Sequence, residues 1–140
     1  MKVTNPEMIR AVTREWSGDR DANGRPLVSD DILERMKLVT TEEAWGTCKR
    51  NDYHFQFAGN WMNLHPDRVI VGRAVTCRWV PRRPDIHDSI DKQGEADNRV
   101  GFQNSWVIDE LEQNDLIVVD LFGKIYNGTF AGDNLATAIK

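Results

Sequence analysis

The sequence predicts an α/β domain, and two observations carry that reading. Val69 to Val80 is rich in β-branched residues and stops at Pro81, and Leu116 to Leu121 is a second apolar run of strand length. Branched side chains fit a pleated, half-buried surface, and short apolar runs bounded by turn residues read as strands. The second strand leads, through turns at Gly123 and Asn127-Gly128, to a helix that opens at Gly132. Strands interleaved with helical patterns belong to the α/β class.

In chain order, residues 1–50 read as an N-terminal arm and two helices, and residues 51–140 as the body of the domain. The arm is polar up to Val28, and Asn23-Gly24 and Arg25-Pro26 are strong turn signals. It reads as a flexible extension, with Trp16 docking on its own domain or on a neighbouring subunit. Ser29 is placed to cap a helix that carries Ile32, Leu33, Met36 and Val39 on one face. Thr40 and Glu43 have capping-box spacing and start a second helix through Ala44, Trp45 and Cys48.

Asn51 to Asp67 is irregular, although alternation at Tyr53, Phe55 and Phe57 predicts a short strand that His65-Pro66-Asp67 closes. Gly72, inside the run from Val69, suggests a bulge or a close backbone approach. Pro81 to Asp85 is a rigid basic loop, and Asp88 to Asn98 is charged and partly helical. Val100, Trp106, Val107, Ile108 and Leu111 give residues 99–111 a helical pattern that Gly101 weakens. Glu112 to Asp115 forms a polar turn, and Lys124-Ile125-Tyr126 reads as a further short strand.

Composition bounds the function. Apolar content of 40% with 29% charged residues is that of a folded soluble domain, and 140 residues suffice for one core. A net charge of -4 argues against broad attraction to nucleic acid or anionic lipid, with Arg78, Arg82 and Arg83 the candidates for a local basic patch. The N-terminus has no apolar signal core and no run is long enough to span a bilayer, so a cytoplasmic protein is expected. Cys48 and Cys77 lack CxxC spacing and read as buried free thiols.

Little of the chain has the spacing of known chemistry. His54, His65 and His87 form no tight metal motif, and Ser89 and Ser105 lack a nucleophile elbow. His87-Asp88, with Asp85 nearby, reads as a solvated loop in preference to a titrating cluster. Asp115 and Asp120 flank a strand and read as solvated strand ends. The best candidate is Gly132-Asp133-Asn134-Leu135: Gly132 admits a ligand to the backbone, and unpaired N–H groups at a helix start hold anions. A plain helix cap after a loop gives the same residues.

Several ordered blocks resemble one family. Val71-Gly72-Arg73-Ala74-Val75-Thr76, Asp109-Glu110-Leu111, Asp115 to Asp120, Gly128, and Gly132 to Ala136 are similar to the RraA-like family. That family includes the regulator of ribonuclease activity A and the class II 4-hydroxy-4-methyl-2-oxoglutarate aldolases. Trp16 to Pro26 and Glu42 to Trp45 resemble a bacterial branch with an N-terminal extension. The likeness spans nearly the whole chain.

The resemblance implies a swivelling β/β/α domain with an N-terminal helical extension, assembled as a homotrimer with sites at subunit boundaries. It implies a lyase that releases pyruvate from 2-oxo acids with a divalent cation, Mg²⁺ in most members. The substrate carboxylate would meet Gly132, Asp133, Asn134 and Leu135, and an Arg-Asp pair that grips substrate and metal would follow later in the chain. Lys140 comes first, so the domain is expected to be incomplete, with no catalytic or metal residue within the chain and no activity of its own. The alternative is a non-catalytic regulator that binds a ribonuclease or another protein. Neither reading involves a membrane or direct contact with nucleic acid.

Overall fold

The computed structural model describes residues 5–139, which form six helices and two strands. They divide into two compact units: the first holds the described residues up to Leu27 and from Arg73 onward, and the second is Val28–Gly72. Mixed helix and sheet place the chain in the α/β class, as expected. No helix among the described residues is long and apolar enough to cross a membrane.

The first unit is organised by two parallel strands, β1 (Arg73–Arg78) and β2 (Asp115–Asp120), with Arg73 opposite Asp115 and Arg78 opposite Asp120. A hairpin cannot join parallel strands. The connection instead runs through α4 (Pro84–Ala96) and α5 (Gln103–Ile108). Along β1, Val75 and Cys77 are half-buried while Ala74, Thr76 and Arg78 are exposed, the period-two pattern of a strand covered on one face. The strand predicted over 69–80 is therefore shortened to 73–78. β2 offers partners only for that stretch, and Val69 and Ile70 lie outside the ladder.

The helical crossover begins earlier and ends more sharply than the sequence reading. Pro84 starts α4, since its missing N–H is no loss in the first turn. Asn98, with φ 55°, ends it in a Schellman motif: Asn98 N–H donates to Glu95 O at 3.1 Å and Arg99 N–H to Gly94 O at 2.8 Å. Gly94 lies beneath the Trp106 ring of α5, where an added Cβ would sit 2.1 Å from the indole. Gly101 takes φ 82°, turning the chain into α5, which covers only part of the predicted 99–111 helix. Ile108 on α5 is buried. The final helix, α6 (Asp133–Ile139), packs against α5.

The arm is built rather than loose, which corrects the expectation of a flexible extension; Met1 to Thr4 lie outside the described residues. Asn5 caps α1 (Pro6–Val12) by accepting from Glu7 N–H at 2.9 Å. The Arg20 guanidinium donates to Thr13 O at 2.6 Å, Thr13 Oγ1 at 2.7 Å and Gly24 O at 2.8 Å, closing the loop that follows. Gly24 takes φ 83° against Pro6 O, a turn only glycine makes without strain. Trp16 bonds locally, from Nε1 to Asp19 O. The arm docks on its own unit through Arg25, whose Nη2 lies 2.9 Å from Asp115 Oδ1. The Asp115 side chain is 1% exposed and its Oδ2 also accepts from Glu112 N–H, so it is a buried structural anion and not a solvated strand end.

The second unit holds α2 (Asp30–Met36) and α3 (Thr41–Arg50). Leu33 is buried, and Ser29 stands at the N-cap of α2 without a side-chain bond. The predicted capping box is complete: Glu43 N–H donates to Thr40 Oγ1, and Thr40 N–H donates to Glu43 Oε2. From Asp52 to Gly72 there is neither helix nor strand, so the strand predicted at Tyr53, Phe55 and Phe57 does not form; no ladder partner meets it. The same reason removes the strand at Lys124 to Tyr126.

Replacing Arg25 by Met leaves the Asp115 carboxylate nearly buried without its cation. Because Arg25 itself is about a third exposed, the expected loss is about 2 kcal/mol rather than that of a fully buried pair. A urea titration reads this as a lower unfolding midpoint, and an unchanged midpoint would mean that the arm contributes nothing to the unit.

Candidate functional site

Parallel pairing brings the carboxyl ends of β1 and β2 to the same edge, the edge at which open α/β sheets bind ligands. Arg78 Nε lies 2.6 Å from Asp120 Oδ2 across that edge. Trp79 N–H donates to Asp120 O at 2.8 Å and so extends the ladder one residue beyond β1. Asp120 Oδ1 accepts from Phe122 N–H at 2.8 Å. That backbone N–H first, and then Arg78, hold the Asp120 carboxyl below the usual aspartate range. Arg83 does the same for Asp85.

Beside this edge opens a cleft of about 410 Å³. Trp79 and Phe130 line it with their rings 5.7 Å apart and inclined by 46°. Arg82, His87 and Asp91 line it from the loop after β1 and from α4. His87 and Asp91 stand four residues apart and so share a helix face. Phe102, Gln103 and Asn104, at the start of α5, complete it together with Thr129. Gln103 Nε2 donates to Asp91 Oδ1 at 2.8 Å, and Asn104 Nδ2 to Phe130 O at 3.0 Å, which pins the loop before α6 to α5.

His87 thus sits half-buried on a helix and lines a cleft, correcting its reading as part of a solvated loop. Of the basic cluster, Arg78 is paired with Asp120 and Arg83 with Asp85, so two of its three charges are neutralised locally. Cys48 and Cys77 are free thiols, half-buried rather than buried. Trp79, Phe102, Gln103, Asn104 and Phe130 were not singled out as functional residues in sequence. The available signal was the four-residue spacing of His87 and Asp91, visible once Pro84 is taken as a helix start.

The predicted turn lies just past the cleft. Gly132 precedes α6 and gives its carbonyl to Ala136 N–H at 2.9 Å, the role of a helix cap. Its φ is not left-handed, and an added Cβ would meet nothing within 4 Å, so neither conformation nor packing demands glycine there. Asp133 Oδ1 accepts from Asn134 N–H at 2.9 Å, which occupies one of the free donors of the helix start. Gly132, Asp133 and Asn134 are exposed and Leu135 is half-buried. None of the four lines the cleft.

No three His, Cys, Asp or Glu side chains gather into a metal-holding group among the described residues. Comparison with known protein families, curated proteins and solved structures returns no match.

The depressed Asp120 carboxyl carries a pH signature. Its folded pKa lies below the unfolded one, so its stabilisation is full above the ordinary aspartate range and is lost as pH falls through the folded value. Carbon-detected NMR titration is expected to show Asp120 protonating at lower pH than a free aspartate. Arg78→Gln should restore only part of the difference, since the Phe122 N–H is the larger cause. An Asp120 that titrates normally in the parent chain would contradict this geometry.

Proposed function

We propose that this chain forms part of a metal-dependent lyase of the RraA-like type, a swivelling β/β/α domain acting on 2-oxo acids in the cytoplasm. The reactions are retro-aldol cleavage of a 4-hydroxy-4-methyl-2-oxoglutarate-type acid and decarboxylation of oxaloacetate. Each breaks the bond between C3 and C4 of the 2-oxo acid and leaves its electron pair on C3 as the pyruvate enolate. The C4 fragment departs as a second pyruvate once a base takes its hydroxyl proton, or as carbon dioxide, and protonation of the enolate at C3 gives pyruvate. The observation that carries the reading is the placement of the resembling blocks. Val71 to Thr76 runs into β1, Asp115 to Asp120 is β2, and Gly132 to Ala136 opens α6, with both strands ending at one edge.

In this reading the open space before Gly132 admits the substrate carboxylate to backbone donors at the start of α6, with Asp133, Asn134 and Leu135 shaping the turn. A divalent cation, Mg²⁺ for preference, would neutralise the enolate. The described residues offer no cluster to hold it; in this proposal the Asp of the Arg-Asp pair implied by the resemblance anchors the metal, and the Arg holds the substrate and the developing enolate. A homotrimer is proposed on the same ground.

The second reading is a non-catalytic regulator that binds a ribonuclease or another protein. Its support is the apolar surface of the second unit, where Phe55, Trp61 and Met62 are 98%, 75% and 88% exposed. Exposed apolar residues that gather into one patch mark interaction surfaces.

Oxaloacetate and Mg²⁺ offered to the full-length protein should release pyruvate, and a chelator should stop it. An added Cβ at Gly132 meets nothing within 4 Å, while the branched side chain of Gly132→Val blocks approach to the backbone, so activity is expected to fall about 10²-fold. Absence of metal-dependent pyruvate release would favour the regulator.

A further inference from the structure

We propose that the cleft beside the carboxyl ends of β1 and β2 binds a small monoanionic carboxylate with a flat apolar body. The volume of about 410 Å³ lies within the range of small-molecule pockets, roughly 300–1,000 Å³. The lining pairs an aromatic wall with a few polar groups, the usual division between a surface that gives area and groups that fix orientation.

Arg82 supplies the anion's partner. Among the described residues its guanidinium has no hydrogen bond or ion pair, whereas its neighbours Arg78 and Arg83 are held by Asp120 and Asp85. A guanidinium presents a planar fork that matches a carboxylate with two parallel bonds. His87 adds a second polar contact: with Nδ1 accepting from Arg83 N–H at 3.2 Å, Nε2 carries the ring proton and donates it to the carboxylate.

The body of the ligand is specified by the tilted pair of Trp79 and Phe130. Planar groups stack or meet edge to face against such rings. Asp91 limits the charge. Gln103 holds one of its oxygens, and the carboxylate stays as a fixed negative group in the lining, repelling a second anionic group on the ligand. A singly charged aromatic or planar acid fits all three conditions, and a dianion such as oxaloacetate fits the third poorly. The site is independent of the lyase reading, because Gly132 to Leu135 do not line this cleft.

The test is an NMR titration of the full chain with benzoate, benzamide and phthalate, following the Trp79 indole N–H. Benzoate is expected to shift that signal with saturation, while benzamide and phthalate bind more weakly. Arg82→Gln, at an exposed residue without a partner, should weaken benzoate about tenfold while leaving spectral dispersion intact. Asp91→Asn retains an acceptor for Gln103 and should strengthen phthalate binding several-fold. No shift at Trp79, equal binding of benzamide, or benzoate affinity indifferent to Arg82→Gln would overturn the proposal. Each of these outcomes leaves the pyruvate-release assay unaffected, so failure here and failure of the lyase reading are separable.

Discussion

The backbone ladder between β1 and β2 is the constraint on which the first unit depends. Parallel strands cannot be joined by a tight turn, so this pairing requires the long crossover through α4 and α5. It also brings both carboxyl ends to one edge, and from that edge come Trp79, Arg82 and the loop that returns through Phe130. The Arg25–Asp115 pair sits at the opposite end of β2 and ties the arm to it. Asp115 therefore serves three elements at once: the ladder, the turn at Glu112 and the arm. Burying its charge without Arg25 would cost more than the ladder position alone repays.

Sequence reading recovered what local chemistry determines. The Thr40–Glu43 box, the turn at Gly24 and the helix after Gly132 all rest on contacts within a few residues. It overestimated strands wherever composition suited one but no partner existed. Val69 and Ile70, Tyr53 to Phe57 and Lys124 to Tyr126 have strand-like residues and no ladder. Pairing is a property of two segments, and one segment's composition does not contain it. The arm was misjudged for a related reason. Arg20 and Arg25 look like solvated loop charges, and only the fold shows that they are donors to backbone and carboxylate oxygens. The turn at Gly132 was legible, while the cleft was not, because its walls come from three stretches far apart in sequence.

Buried apolar side chains are few, with Leu33 and Ile108 as the buried hydrophobics among the described residues. Apolar residues such as Phe55, Met62 and Ile125 face solvent instead. Parallel strands usually have both faces covered, and here the half-buried Val75, Ile117 and Val119 leave room for further cover. This exposure is what both the oligomeric lyase and the protein-binding regulator would use, and it is why assembly figures in each reading.

The pairing of β1 with β2 underlies the fold, the cleft and the placement of the Gly132 turn, and cross-strand nuclear Overhauser effects measure it directly. Parallel-type contacts are expected, with Val75 opposite Ile117 and Cys77 opposite Val119, together with slow exchange of the Trp79 amide. Contacts of antiparallel type, a shifted register, or their absence would remove the common edge on which the site is built.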